Sequence, residues 1–297
     1  MILITGGTGF LGRHLIQEIL DNTRFDVTVI SRQSNFFQSP RIGFVQPVRS
    51  EIRSFFAKNW NAVVLHLATD YGRSDRSSSS NIVREVNLDL PTMILEECAA
   101  TPPRLFVNCD SYYLKGGRER FALRDYVESK TIFRDRLRED FSFINSVTLQ
   151  FEHIFGPGDS TDKFIPMLVT RALRDQSGSL ELTGGEQRRD FLYVKDAALA
   201  VMSVLKNYMS LPKSGMVIEV GTGVETSLKD LVLMVLSEAN SKLLPNFGAL
   251  PYISGELQSS AANLEIMSYL GWKPSVYLQE GLIETINHFR ELIDRDN

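Results

Sequence analysis

Ile2-Leu-Ile-Thr-Gly-Gly-Thr-Gly-Phe-Leu-Gly12 is the stretch from which the rest of this chain is read. A short apolar run enters spaced glycines and leaves directly into the amphipathic segment Arg13–Asn22. That order suits a dinucleotide site. Gly6 or Gly7 permits the tight turn, Gly9 lets the backbone approach a pyrophosphate, and Gly12 lets the helix pack close to the strand. The helix N-terminus then presents its amides to the phosphate charge. Thr8, Phe10 and Leu11 share the loop and helix start, so they join Gly6, Gly9 and Gly12 as candidate cofactor-binding residues. Glycines also punctuate ordinary turns; here strand, turn and helix all stand in the required positions.

Outward from this turn, strand and helix patterns alternate. Strands are expected at Ile2–Thr5, Asp26–Ser31, Gly43–Gln46, Ala62–Leu67, Leu105–Cys109 and Ser146–Phe151. Helices are expected between them at Arg13–Asn22, Ile52–Lys58, Asn81–Ala100 and Tyr126–Glu139. Alternation of this kind predicts an α/β fold, a Rossmann doubly wound parallel sheet with ligands at the carboxyl ends of its strands. Two loops at that edge, Tyr71–Ser80 and Tyr112–Arg124, stand out; the first, with four consecutive serines, reads equally as a mobile closing loop or a solvated linker.

After Phe151 the alternation loosens. Gly156-Pro157-Gly158 breaks the chain, and helices are expected at Lys163–Arg174, Asp196–Lys206, Ser227–Ser241, Ser259–Leu270 and Tyr277–Leu292, with strands at Asp190–Val194 and Met216–Val220. The resulting division has a dinucleotide-binding domain over 1–151, to which 189–220 return. A smaller interleaved C-terminal substrate domain takes 152–188 and 221–297.

The 297 residues carry a formal net charge of −4, which argues against nucleic acid as a partner. No apolar run approaches the ~20 residues that span a bilayer, and the first strand begins at Ile2 with no signal peptide before it, so a cytoplasmic location is expected. Cys98 and Cys109 form no metal-ligand spacing, and no His, Cys and carboxylate cluster predicts a metal.

Tyr126-Val-Glu-Ser-Lys130 supplies the chemistry. Residues four apart share a helix face, so the phenol and the ammonium point the same way. A nearby cation stabilises phenolate, lowers the tyrosine pKa and makes the phenol a usable proton donor. The pair opens the helix after the fifth strand, at the sheet edge where the nicotinamide of a bound dinucleotide would lie.

Gly6–Gly12 with Tyr126 and Lys130 resembles the extended short-chain dehydrogenase/reductase superfamily of nucleotide-sugar epimerases, dehydratases and reductases. Further segments agree in order: His66-Leu67-Ala68, Asn87 in Glu-Val-Asn, Phe155-Gly-Pro-Gly158, Arg189-Asp-Phe-Leu-Tyr-Val-Lys-Asp196, Val220-Gly-Thr-Gly223 and Leu270-Gly-Trp-Lys-Pro274. The wording of 66–72, 107–112 and 151–157 is most similar to CDP-abequose synthase-like reductases, which act on CDP-linked 4-keto-3,6-dideoxyhexoses for surface polysaccharides.

The resemblance implies that Tyr126 donates a proton to a carbonyl oxygen as hydride arrives on its carbon, and that Lys130 holds the nicotinamide ribose. Leu67 and Ala68 would flank the cofactor. It also implies a catalytic hydroxyl at the end of the fifth strand, where this chain departs from the pattern: Cys109 stands at that position. A thiol is a weaker and longer donor, whereas Ser111, two positions on, points to the same side of an extended segment. Either residue remains the candidate, with Ser111 ahead of Cys109. Related dehydratases follow the hydroxyl with Asp-Glu; here it is Asp110-Ser111, so dehydration is not expected. His153 and Arg189 match substrate-contacting positions, Arg189 as a ligand of the nucleotide-sugar phosphate or in a salt bridge with Asp190 or Asp196. His66 reads as structural, and His14 and His288 as surface helix residues. Family members often form homodimers through helices equivalent to 81–100 and 126–139.

Cofactor choice is read after the second strand. An NAD-selective site places a carboxylate there for the ribose 2′-hydroxyl. Ser31-Arg32 offers a hydroxyl and a guanidinium, which suit a 2′-phosphate. NADP(H) is therefore preferred, with NAD(H) as the alternative if Arg32 only stacks on adenine. The leading reading is an NADPH-dependent reductase of a nucleotide-linked 4-keto sugar. Its alternatives are an NAD-dependent 4-epimerase and a non-catalytic dinucleotide-sensing protein.

Overall fold

The computed structural model describes residues 1–33, 36–72, 80–116, 123–175, 177–211 and 214–296. Short apolar runs form the strands β1 (Ile2–Thr5), β2 (Val27–Ile30), β3 (Ile42–Val45), β4 (Val63–His66) and β5 (Leu105–Ser111). All but the edge strand β3 are largely buried, as strands covered on both faces must be. Their pairings are parallel, Ile2 standing opposite both Val27 and Val63, Val27 opposite Ile42, and Val63 opposite Leu105. β6 (Ser146–Phe151) and β10 (Met216–Val220) complete a seven-stranded sheet of order β10-β6-β5-β4-β1-β2-β3. The order reverses between β1 and β4, and the crevice outside their carboxyl ends is where such sheets bind ligands.

Helices α1 (Phe10–Asn22), α2 (Arg49–Lys58), α3 (Ser80–Arg84), α4 (Leu90–Cys98) and α5 (Arg124–Glu139) connect these strands. Ile52, Phe55, Ile94, Leu95 and Phe133 from the helices join Leu3, Val64 and Phe106 of the sheet in one core. The single helix expected over 81–100 is interrupted by a π turn at Glu85–Asp89. Pro91 explains it: lacking an N–H, it cannot pair with the carbonyl of Asn87, and the ladder widens there.

The chain forms two compact units, Met1–Gln150 with Val201–Ile218, and Phe151–Ala200 with Glu219–Asn297. Residues 189–200, expected to return to the first half, cluster with the second. β9 (Arg188–Tyr193) pairs there with β7 (His153–Phe155) and with β11 (Glu225–Ser227). A parallel pair of β8 (Ser179–Leu182) and β12 (Leu244–Phe247) lies in the same unit. Helices α6 (Phe164–Arg174), α8 (Leu228–Glu238) and α10 (Leu278–Asp296) pack Ile165, Leu168, Leu231, Val235, Leu282 and Ile286 into its core. α7 (Val194–Asn207) crosses from one unit's residues to the other's. The helix expected over 259–270 shrinks to α9 (Glu265–Tyr269). Its first residues are held extended by side chains: the Ala262 amide donates to Asp190, the Asp190 amide to the Ser260 carbonyl, and the Ser260 hydroxyl to Glu152.

Candidate active site

The turn after β1 is built as a phosphate cradle. Gly6, not Gly7, adopts the left-handed conformation, at φ +69°, and a Cβ there would lie 2.6 Å from the Ala68 amide nitrogen. A Cβ on Gly9 would stand 3.1 Å from the Gly6 carbonyl oxygen, and one on Gly12 only 2.2 Å from it. Backbone thus fills space that side chains occupy elsewhere, bringing α1, β1 and the end of β4 into direct contact. Gly9 caps α1 without any side-chain hydrogen bond, and the first turn holds no acidic residue. The amides and dipole of that helix end suit an anion, so the residues present fit a dinucleotide pyrophosphate.

β4 is tied to the same turn. The Thr5 hydroxyl accepts from the Ala68 amide at 3.2 Å and shares a hydrogen bond with His66 Nδ1 at 2.7 Å. Burial and then Lys130 hold His66 well below its ordinary pKa, so it stays neutral and structural. Beyond it, Asn87 is wholly buried in the π turn and grips the chain after β4. Its side chain accepts from the Asp70 amide at 2.9 Å and donates to the Asp70 carbonyl at 2.8 Å. The π turn is what aims Asn87 at Asp70.

Tyr126 and Lys130 are both buried, at 2% and 1% exposure. The Ser111 and Thr69 side chains lie near the Tyr126 phenol and favour its ionised form. Its ring stacks on Tyr71 with centroids 4.8 Å apart, and the edge of Tyr113 meets it at 6.2 Å. Lys130 lies one helical turn beyond the phenol on α5. Its ammonium donates to the Cys109 carbonyl at 2.9 Å, while burial, with Tyr71 and Asp110 adding, holds the phenol well above its ordinary pKa. Ser111 stands beside the phenol. The Cys109 carbonyl accepts from Lys130, and burial pushes the thiol up to about 12. Thr69, Tyr71 and Asp110 were not singled out from the sequence; only their places at the carboxyl ends of β4 and β5 pointed to them.

Ser31 follows β2 directly, its amide bonded to the Val45 carbonyl and its hydroxyl accepting from the Gln33 amide at 3.0 Å; Arg32 beside it is exposed. His153 and Arg189 belong to the second unit. His153 sits opposite Phe191 in the β7–β9 register, with ring centroids 5.2 Å apart. Arg189 pairs with neither Asp190 nor Asp196. Its guanidinium reaches Glu256 at 2.9 Å and the Arg188 carbonyl at 2.7 Å. Asp190 instead accepts amides of Thr222, Gly223 and Ala262, and Asp196 those of Ser275 and Val276. Most of the serine loop and part of the loop expected over 112–124 lie outside the described residues. Among the described residues no group of three His, Cys, Asp or Glu could hold a metal, and no helix is long and apolar enough to cross a membrane.

A family model described as the NAD dependent epimerase/dehydratase family matches residues 2–221. CDP-abequose synthase of Salmonella typhimurium is 29% identical over 96% of this chain and 97% of its own length. dTDP-4-dehydro-6-deoxyglucose reductase of Escherichia coli is 23% identical over 97% of each. Among solved structures, UDP-glucuronic acid 4-epimerase of Bacillus cereus, in complex with UDP-glucuronic acid and NAD, superposes with a TM-score of 0.82 at 22% identity, over 98% of this chain and 99% of that one.

Proposed function

This chain belongs to the NAD dependent epimerase/dehydratase family and is an enzyme of the NAD(P)-dependent oxidoreductase type, and from that premise we propose that it reduces the 4-keto group of a nucleotide-linked deoxysugar with NADPH. The observation that carries the reading is the buried Tyr126 phenol beside Ser111 at the end of β5, with Lys130 anchored on the Cys109 carbonyl and no carboxylate at position 111. A bound nicotinamide dinucleotide supplies the hydride. Tyr126 gives its proton to the sugar oxygen, and Ser111 holds that oxygen by hydrogen bonding. Lys130, Leu67 and Ala68 would hold the nicotinamide end, and Gly6, Thr8, Gly9, Phe10, Leu11 and Gly12 the pyrophosphate.

Burial of the phenol keeps Tyr126 protonated through the neutral range, as a proton donor requires. Ser31 and Arg32 would take the 2′-phosphate, which supports NADP(H) over NAD(H). Arg189 would hold the substrate diphosphate and His153 the sugar. The similarity to CDP-abequose synthase supports a ketoreductase.

The test is stoichiometric NADPH consumption with CDP-, UDP-, GDP- and dTDP-linked 4-keto sugars, after a thermal-shift screen that ranks the nucleotides by the stabilisation each bound ligand confers. Turnover that Tyr126→Phe leaves intact would sink the mechanism. Tightly held NAD and turnover without added reductant would identify a 4-epimerase instead. NADPH binding with no turnover on any sugar would identify a sensor.

A further inference from the structure

Asp110 is a buried carboxyl that the mechanism above leaves without a task. It lies on β5 between Cys109 and Ser111, its side chain has no exposed surface, and neither carboxylate oxygen has a hydrogen-bond partner. Most buried polar groups are paired, because a carboxylate withdrawn from water without hydrogen bonds is costly. What faces Asp110 is charge. Tyr126, Lys130 and Arg134 are spaced four residues apart on α5 and so line one stripe of that helix. Arg134 Nη1 stands 4.0 Å from Asp110 Oδ2. The Lys130 ammonium sits on the carbonyl of Cys109, the residue next to Asp110, and both cations act on the carboxyl.

The other neighbours add little charge. The adjacent Cys109 thiol is held neutral by burial. On β6, Thr148 is uncharged and accepts from Asn108 at 3.4 Å. His66 of β4 is neutral and acts on Lys130.

We propose that Asp110 is a positioning residue of the reaction, acting through Lys130 and Tyr126: its carboxylate keeps the Lys130 ammonium charged and the Tyr126 phenol protonated. The physical argument is one of sign. Burial alone lowers the Lys130 pKa, and the Asp110 charge opposes that loss. The same negative charge disfavours phenolate at Tyr126. Burial, opposed by Lys130 and Arg134, lifts Asp110 itself to about 6. The device therefore acts above that pH, where the carboxylate is ionised, and fades below it. It rests on Tyr126 being the proton donor.

Asp110→Asn and Asp110→Glu test it in the full chain. In Asp110→Asn the alkaline limb of kcat/KM for NADPH-dependent reduction moves to lower pH by about one pH unit, the effect expected for loss of one close charge, and Asp110→Glu restores it. A readout without substrate accompanies this. Tyrosinate absorbance is titrated in each background, and the same protein carrying Tyr126→Phe is subtracted to isolate one phenol among nine tyrosines. The Tyr126 ionisation falls to lower pH in Asp110→Asn. Asp110→Ser, a smaller neutral replacement, serves if the amide is not accommodated. An unmoved Tyr126 ionisation overturns the inference. A lowered ionisation with no turnover on any sugar nucleotide removes the reductase reading and with it the positioning role, and leaves standing only the effect of the Asp110 charge on the Tyr126 phenol.

Discussion

The Lys130 ammonium donates to the Cys109 main-chain carbonyl at 2.9 Å, although Tyr126 lies one helical turn before it on α5. Lysine and tyrosine are thus joined through β5, which also carries Ser111 and Asp110. Lys130→Met removes the anchor and leaves Asp110 facing one cation fewer. Turnover should fall about 100-fold or more and NADPH affinity should weaken with it. Tyr126→Phe should lower kcat by about 10²–10⁴-fold with NADPH affinity unchanged. Steady-state kinetics beside fluorescence titration of NADPH separate the two.

Ser111 and Cys109 should respond oppositely. The Ser111 side chain lies near the phenol, so Ser111→Ala should cost about 100-fold in kcat, as loss of an oxyanion donor does. Cys109 acts through a carbonyl that any residue supplies. Cys109→Ala should stay within about threefold of wild type, and a larger loss would return the thiol to the reaction.

Arg32 is exposed directly after β2, so replacing it disturbs no packing. If it pairs with the 2′-phosphate, Arg32→Ala loses a charge-assisted hydrogen bond of about 1.5–3 kcal/mol. KM for NADPH should rise about tenfold or more while KM for NADH stays put. Equal changes for the two cofactors would assign Arg32 to the adenine.

Gly12 is required by packing. An alanine Cβ would lie 2.2 Å from the Gly6 carbonyl oxygen and 2.7 Å from the Gly7 Cα, backbone atoms with no rotamer to adjust. Gly12→Ala should cost about 2–3 kcal/mol in urea unfolding. Gly43→Ala, whose nearest neighbour is the Thr28 hydroxyl at 3.6 Å, should cost less than about 1 kcal/mol.

Arg189 and Glu256 form a mostly buried ion pair, with Gln187 donating to the second Glu256 oxygen at 2.9 Å. Glu256→Ala strands a guanidinium that is 6% exposed and should destabilise the protein by about 2 kcal/mol or more. A role for Arg189 at the substrate diphosphate predicts a further split: Arg189→Gln raises KM for the nucleotide sugar and leaves KM for NADPH unchanged.

The glycine turn, the alternation of strand and helix beginning at β1 and the Tyr126–Lys130 spacing were legible in the sequence because each is local. A left-handed glycine, a close approach and an i, i+4 pair are settled within about ten residues of chain. Even there, only the structure chose Gly6 over Gly7. Arg189 shows where local reading stops: its partner is not the adjacent Asp190 but Glu256, 67 residues on. The helix expected over 259–270 failed for the same reason, since Glu152 and Asp190, distant along the chain, hold its first residues extended.

By itself, then, the sequence determined an α/β dinucleotide fold and a tyrosine and lysine on one helix face. Only the tertiary structure decided the environment in which they react. Burial put Tyr71 against the phenol, Ser111 beside it and Asp110 opposite Lys130, and these contacts set which groups carry protons. Desolvation and charge pairing depend on what surrounds a group in space, and most of those neighbours come from segments far along the chain.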